Sequence, residues 1–99
     1  SEMQFILIAF DGTDAGAPER RQKCRPEHLE KIAQTKKTGN FIFGGAILND
    51  KDQMIGSTIL CEVENREALD RILKDEPYII NKVWEKIDIR PFRLAKIVT

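Results

Sequence analysis

The run Met3 to Phe10, MQFILIAF, restricts the fold more than any other part of the chain. It is short, rich in residues that favour extended backbone, and stopped by Asp11-Gly12, the pattern of a strand that ends in a turn. Side chains alternate across a strand, so Phe5, Leu7 and Ala9 point one way and Ile6, Ile8 and Phe10 the other. Both faces are apolar, and a strand of that kind belongs inside a sheet covered on two sides.

The remainder of the 99 residues supplies elements that fit one domain, residues 1–99. Asp11 to Ala17 reads as loop, followed by a charged PERRQK segment. Pro26 suits the first position of a helix because its missing N–H would be unpaired there anyway, and Gly39 supplies the stop. The expected helix runs from Pro26 to about Thr38, with Leu29, Ile32 and Ala33 as its buried stripe. Asn40 to Leu48 reads as a second strand interrupted by Gly44-Gly45, and Ile55 to Glu64 as a third, joined by the turn Asn49 to Asp52. Asn65 is a good N-cap for a second helix over about Arg66 to Lys74, whose Ala68, Leu69, Ile72 and Leu73 share one side. Asp75-Glu76-Pro77-Tyr78 ends it. Val83 to Leu94 reads as the last strand, with Pro91 marking a sheet edge or a bulge.

The order β-α-β-β-α-β is that of an α+β, ferredoxin-like sandwich, an antiparallel sheet with both helices on one face. Two helices cover only that face. The other face of the first strand is apolar too, so the expectation is a homodimer in which two open faces meet as a dimeric α+β barrel, with a site closed between sheet and partner.

Charge and cysteine content narrow the partners. Sixteen basic residues balance sixteen acidic ones, which gives bulk electrostatics no pull toward nucleic acid or an anionic membrane. Arg20, Arg21, Lys23 and Arg25 are interleaved with Glu19 and Glu27 and read as a solvated face. Cys24 and Cys61 are far apart and His28 is the single histidine, so no metal-ligand spacing exists and neither metal nor cofactor is expected. The longest apolar run, Phe5 to Phe10, is far below the ~20 residues that span a bilayer. No cleavable leader is read, and free thiols suit a reducing compartment. The expected location is the cytoplasm, and the expected partners are small molecules or further copies of the chain.

Several short motifs occur together: RPEHL at 25–29, Gly44-Gly45, Gly56-Ser57, the acidic-Pro-Tyr element Asp75 to Tyr78, and the closing KVWEKIDIRPF of 82–92. In that order they resemble the YciI-like, or YCII-related, family of small dimeric proteins, over nearly the whole chain. The resemblance implies a dimeric α+β barrel and a catalytic pair of histidine and acid. In that family a characterised relative eliminates chloride from a chlorinated aromatic-pathway intermediate, and muconolactone isomerases share the wider fold. The histidine of the motif is His28. The family usually has aspartate directly before the proline-aromatic pair; here that position is Glu76, with Asp75 one residue earlier, and either acid is a candidate partner. Ala46 follows the glycine pair where proline is common.

The chemistry such a pair supports can be stated physically. A histidine in a first helical turn sits by the positive end of the helix dipole, which disfavours its charged form, while a carboxylate beside it fixes the tautomer and leaves one ring nitrogen to act as a base. That arrangement suits removal of a proton next to a carbonyl, hence elimination or isomerisation of a small carboxylated or cyclic substrate, by a lyase or isomerase. Arg25, Gly44, Ser57 and Tyr78 are the candidate binding residues: Arg25 for a carboxylate, Ser57 for an oxyanion, Tyr78 to donate or stack, and Gly44 to open the wall. Each also has an ordinary reading. A lone histidine is often solvated, Asp75 and Glu76 can simply end a helix, Tyr78 can be core, and the glycines can mark a bulge. The alternative function is a non-catalytic module that binds a small ligand or serves a larger assembly through the same pocket.

Overall fold

The structure is a computed structural model and describes residues 2–98. Strand β1, Met3–Asp11, sits inside the sheet, paired antiparallel with both β3, Met54–Val63, and β4, Trp84–Phe92. Strand β2, Phe41–Leu48, pairs with the outer side of β3, giving a four-stranded sheet of order β2-β3-β1-β4. Helix α1, Ala17–Lys37, connects β1 to β2, and α2, Arg66–Lys74, with a one-turn helix α3, Pro77–Ile80, connects β3 to β4. This is the expected ferredoxin-like α+β architecture. β4 is an edge strand, where Pro91 is tolerated.

The helix boundaries follow from local chemistry. Asn65 caps α2 by accepting the Ala68 N–H at 2.9 Å, which satisfies one of the donors a helix start leaves free. Gly39, at φ +82°, ends α1 in the left-handed region that a side chain disfavours. The start of α1 corrects the expectation. The helix begins at Ala17, with Pro18 in its first turn, and Pro26 lies within it. An interior proline cannot donate to the carbonyl one turn back and costs about 3 kcal/mol or more. Burial of the helix stretch before it offsets that cost: Ala17, Arg21 and Cys24, together with His28, are buried against the sheet.

The buried stripe of α1 is therefore Ala17, Arg21, Cys24, His28 and Thr35, at helical spacing, and not Leu29, Ile32 and Ala33. Leu29 is 45% exposed and Ala33 is exposed, while Ile32 packs only partly on the core. The core proper comes from the inward faces of β1 and β3, namely Phe5, Leu7, Ala9, Ile59, Cys61 and Val63, closed by Leu69 of α2 and by Tyr78, Val83 and Trp84. Burial pushes the Cys61 thiol up to about 11, and raises Cys24 as well, so both are held as neutral apolar groups.

Among the described residues no helix covers the opposite face of the sheet. Ile8, Phe10, Phe43 and Phe92 each remain 37% to 42% exposed there. The β2–β3 register shifts between Phe41 and Phe43 and again between Ile47 and Leu48, so the irregularities flank the glycine pair and do not fall on it. Among the described residues no helix is long and apolar enough to cross a membrane.

The two stripes predict different mutants. Leu69→Ala, at 1% exposure, should lose about 2–5 kcal/mol of stability. Leu29→Ala should stay within about 0.5 kcal/mol, as read from urea unfolding of both variants.

Candidate functional site

The polar side chains of the α1 stripe are buried, so each needs a partner. His28, 8% exposed, finds Glu76: both carboxylate oxygens lie 2.9 Å from Nδ1. Glu76 is 3% exposed and occupies the N-cap of α3, where its Oε2 also accepts the Tyr78 backbone N–H at 2.7 Å. Pro77 forces this geometry, since it starts the short helix and leaves the residue before it extended. With Glu76 ionised, the acceptor-only carboxylate takes the Nδ1–H. Nε2 of the neutral ring then keeps its lone pair, with no hydrogen bond among the described residues.

The imidazole is held from the side as well. It stacks on the Tyr78 ring at 3.9 Å between centroids and 10° between planes, with the edge of Trp84 at 6.0 Å. Tyr78 is fully buried, its hydroxyl has no partner among the described residues, and burial raises its pKa. Because α1 starts at Ala17, His28 sits in mid-helix, and the dipole of a helix end does not act on it as expected.

A second buried network lies one helical turn or more toward the start of α1. Arg21, 3% exposed, donates from Nη1 to both oxygens of Asp11 at 2.8 and 3.0 Å and from Nη2 to Ser57 Oγ at 2.8 Å. Trp84 Nε1 donates to the same Ser57 oxygen at 3.1 Å. The Arg21 guanidinium also lies 4.8 Å from the Tyr78 ring centre, so the two networks touch.

Between them opens a cleft of about 100 Å³ lined by Arg21, Arg25, His28, Gly44, Ser57 and Tyr78 together with apolar side chains that include Leu29, Ile32 and Phe41. It lies between α1 and the helix-covered face of the sheet. The site was expected between the open sheet face and a partner; the structure puts these residues on the other face, within one chain. Gly44 leaves little room for a side chain, since an added Cβ would stand 3.0 Å from both the Phe41 ring and the Thr58 carbonyl oxygen and one of them would have to give. Arg25 is half-buried at the rim and forms no ion pair among the described residues.

Of the two candidate acids, Asp75 stands apart. Its carboxylate is 73% exposed and lies 3.9 Å from Lys31, so it caps the end of α2 at the surface and does not meet His28. The sequence reading does not single out Asp11 or Arg21 as site residues, and it assigns Arg21 to a solvated run. Arg21, Cys24 and His28 do repeat at helical spacing, a signal visible only if Pro18 and not Pro26 is taken as the helix-opening proline. Among the described residues no group of three or more His, Cys, Asp or Glu could hold a metal ion.

The model of the YCII-related domain matches residues 3–93. The chain belongs to the YCII-related family. Curated family members named Protein YciI, from Escherichia coli O6:H1 and from Shigella flexneri, are each 28% identical over 97 residues, which covers 92% of this chain and 97% of theirs. Among solved structures, the chain is similar to 5-chloro-2-hydroxyhydroquinone dehydrochlorinase (TftG) from Burkholderia phenoliruptrix AC1100, solved as a complex with 2,5-dihydroxybenzoquinone. The TM-score is 0.80 at 18% identity over 94% of this chain and 96% of that one. A dimeric ferredoxin-like protein from an uncultured marine organism matches with a TM-score of 0.58 at 13% identity, over 100% and 94% of the two chains. At those identities the structural likenesses establish the fold of this YCII-related chain and not its chemistry.

The Asp11–Arg21 pair is deeply buried, and removal of one partner strands the other. Asp11→Ala should cost about 3–5 kcal/mol in chemical unfolding, whereas Asp75→Ala should fall within about 0.5 kcal/mol.

Proposed function

We propose that this YCII-related protein is a homodimeric small-molecule enzyme of the lyase or isomerase type, with His28 as general base and Glu76 as the residue that orients it. The observation that carries the reading is the bidentate seat of Nδ1 on a buried carboxylate, itself pinned by a backbone N–H, beside a cleft that contains the same ring. A base held in this way reacts through Nε2. It removes a proton from a substrate C–H or O–H, and the released electron pair either shifts into an adjacent carbonyl, as in isomerisation, or expels a leaving group, as in elimination. The imidazolium so formed lies against Glu76, which stabilises it until the proton passes to the product or to solvent. In this reading Arg25, Ser57 and Tyr78 bind the substrate and Gly44 shapes the wall, which is supported by all four lining the same cleft. The similarity to a dehydrochlorinase in complex with 2,5-dihydroxybenzoquinone points to hydroxylated quinones and hydroquinones as the first compounds to try.

The oligomeric part of the proposal rests on the open sheet face. Apolar residues at Ile8, Phe10, Phe43 and Phe92 form a surface that association of two sheets would cover, and a similar chain is described as a dimer.

Two experiments test these statements. Halide and proton release should be followed over a panel of chlorinated hydroxyhydroquinones. A turnover found with the native chain should fall about 10²–10⁴-fold in His28→Gln and markedly in Glu76→Gln, while Asp75→Asn should match the native chain. Native turnover by His28→Gln would end the general-base reading. Light scattering should give twice the 11.4 kDa of one chain, with Phe10→Glu shifted toward monomer; a native mass of one chain would remove the dimer.

A further inference from the structure

A serine hydroxyl has one proton to donate and two lone pairs with which to accept. Ser57 Oγ receives one hydrogen bond from Arg21 Nη2 at 2.8 Å and another from Trp84 Nε1 at 3.1 Å. Both lone pairs are therefore engaged. Its own O–H finds no acceptor among the described residues, although Ser57 is 3% exposed. Ser57 lies on the inner face of β3 and lines the cleft, together with Arg25 and Tyr78; among the described residues Arg25 forms no ion pair and the buried Tyr78 hydroxyl has no partner. Arg21, by contrast, is neutralised by Asp11.

We infer that Arg21 and Trp84 lock Ser57 as a one-way donor into the cleft, which therefore selects ligands through an acceptor-only oxyanion: a carboxylate, an enolate or a phenolate. Arg21 and Trp84 are positioning residues in this scheme. Neither needs to touch the ligand; each removes an alternative in which Ser57 would accept a hydrogen bond from it. A ligand that offers an N–H or O–H at that point meets a hydroxyl with no lone pair left and forfeits the bond, while an oxyanion is met by the Ser57 proton with Arg25 as counter-charge. The same polarity serves an elimination or isomerisation, because the oxygen that gains charge as a proton is removed is of the type this donor accommodates. The inference rests on the reading of this cleft as a small-molecule site.

Binding, not turnover, tests it, so the catalytic role of His28 is not at stake. Benzoate and benzamide have nearly one shape but opposite polarity at one atom. Calorimetry on the native chain should show benzoate at least about tenfold tighter. Ser57→Ala should weaken benzoate about 10- to 100-fold and erase most of the preference, and Ser57→Thr, which restores a hydroxyl, should bring it back. Trp84→Phe frees one Ser57 lone pair, so benzamide should gain relative to benzoate, an effect that loss of packing alone would not produce. Equal affinities in the native chain would overturn the inference while leaving the cleft a binding site, and so would a preference unchanged in a folded Ser57→Ala. Failure of both probes to bind the native chain would remove the small-molecule reading itself and this inference with it.

Discussion

A carboxylate taken out of water has to be surrounded by donors, and Glu76 meets that requirement with His28 Nδ1 and the Tyr78 backbone N–H. Much of the site follows from this one buried charge. It ties α1 to the turn before α3, selects which ring nitrogen of His28 carries the proton, and holds the imidazole parallel to Tyr78. Without the carboxylate, a buried ring nitrogen would have no partner and α1 would have no reason to present a histidine to the core.

The inner face of α1 repeats the same economy twice. Arg21 is as deeply buried as most of the core, and its charge is matched by Asp11 at the end of β1. Such pairs are poor sources of net stability, since desolvation takes back much of what Coulomb attraction supplies. The apolar core of Phe5, Leu7, Val63, Leu69 and Val83 stabilises the fold instead. What the buried pairs contribute is direction: they fix Ser57, His28 and Tyr78 around one cleft with few rotamers left to choose.

The two faces of the sheet divide the work. One is closed by α1, α2 and α3 and holds the cleft within a single chain. The other presents Ile8, Phe10, Phe43 and Phe92 to the outside. β1 is the element that serves both, through its alternate side chains, and it pairs with β3 and β4 along nearly its full length. The likeness to structures only 13% to 18% identical is consistent with this, since a pattern of inward and outward apolar residues can be kept while most individual side chains change.

Local rules carried in neighbouring residues were readable from the chain alone. The alternation in β1, the Asn65 cap, the Gly39 stop and the strand order that follows from β-α-β-β-α-β depend on residues a few positions apart, so propensity and period suffice. The acidic-Pro-Tyr element and His28 were visible as a motif. Which acid meets the ring was not, because Asp75 and Glu76 differ by one position and only the turn into α3 sends one to the surface and the other inward. The start and rotation of α1 depart from the sequence expectation for a related reason. Its buried face is marked by Arg21, Cys24 and His28, and hydropathy counts an arginine or a histidine as outward unless its partner, Asp11 or Glu76, is known to wait across the fold. Periodicity thus determined the layers of this protein. Tertiary packing decided the site, because a buried polar group is stable only where distant segments bring its donors and acceptors together.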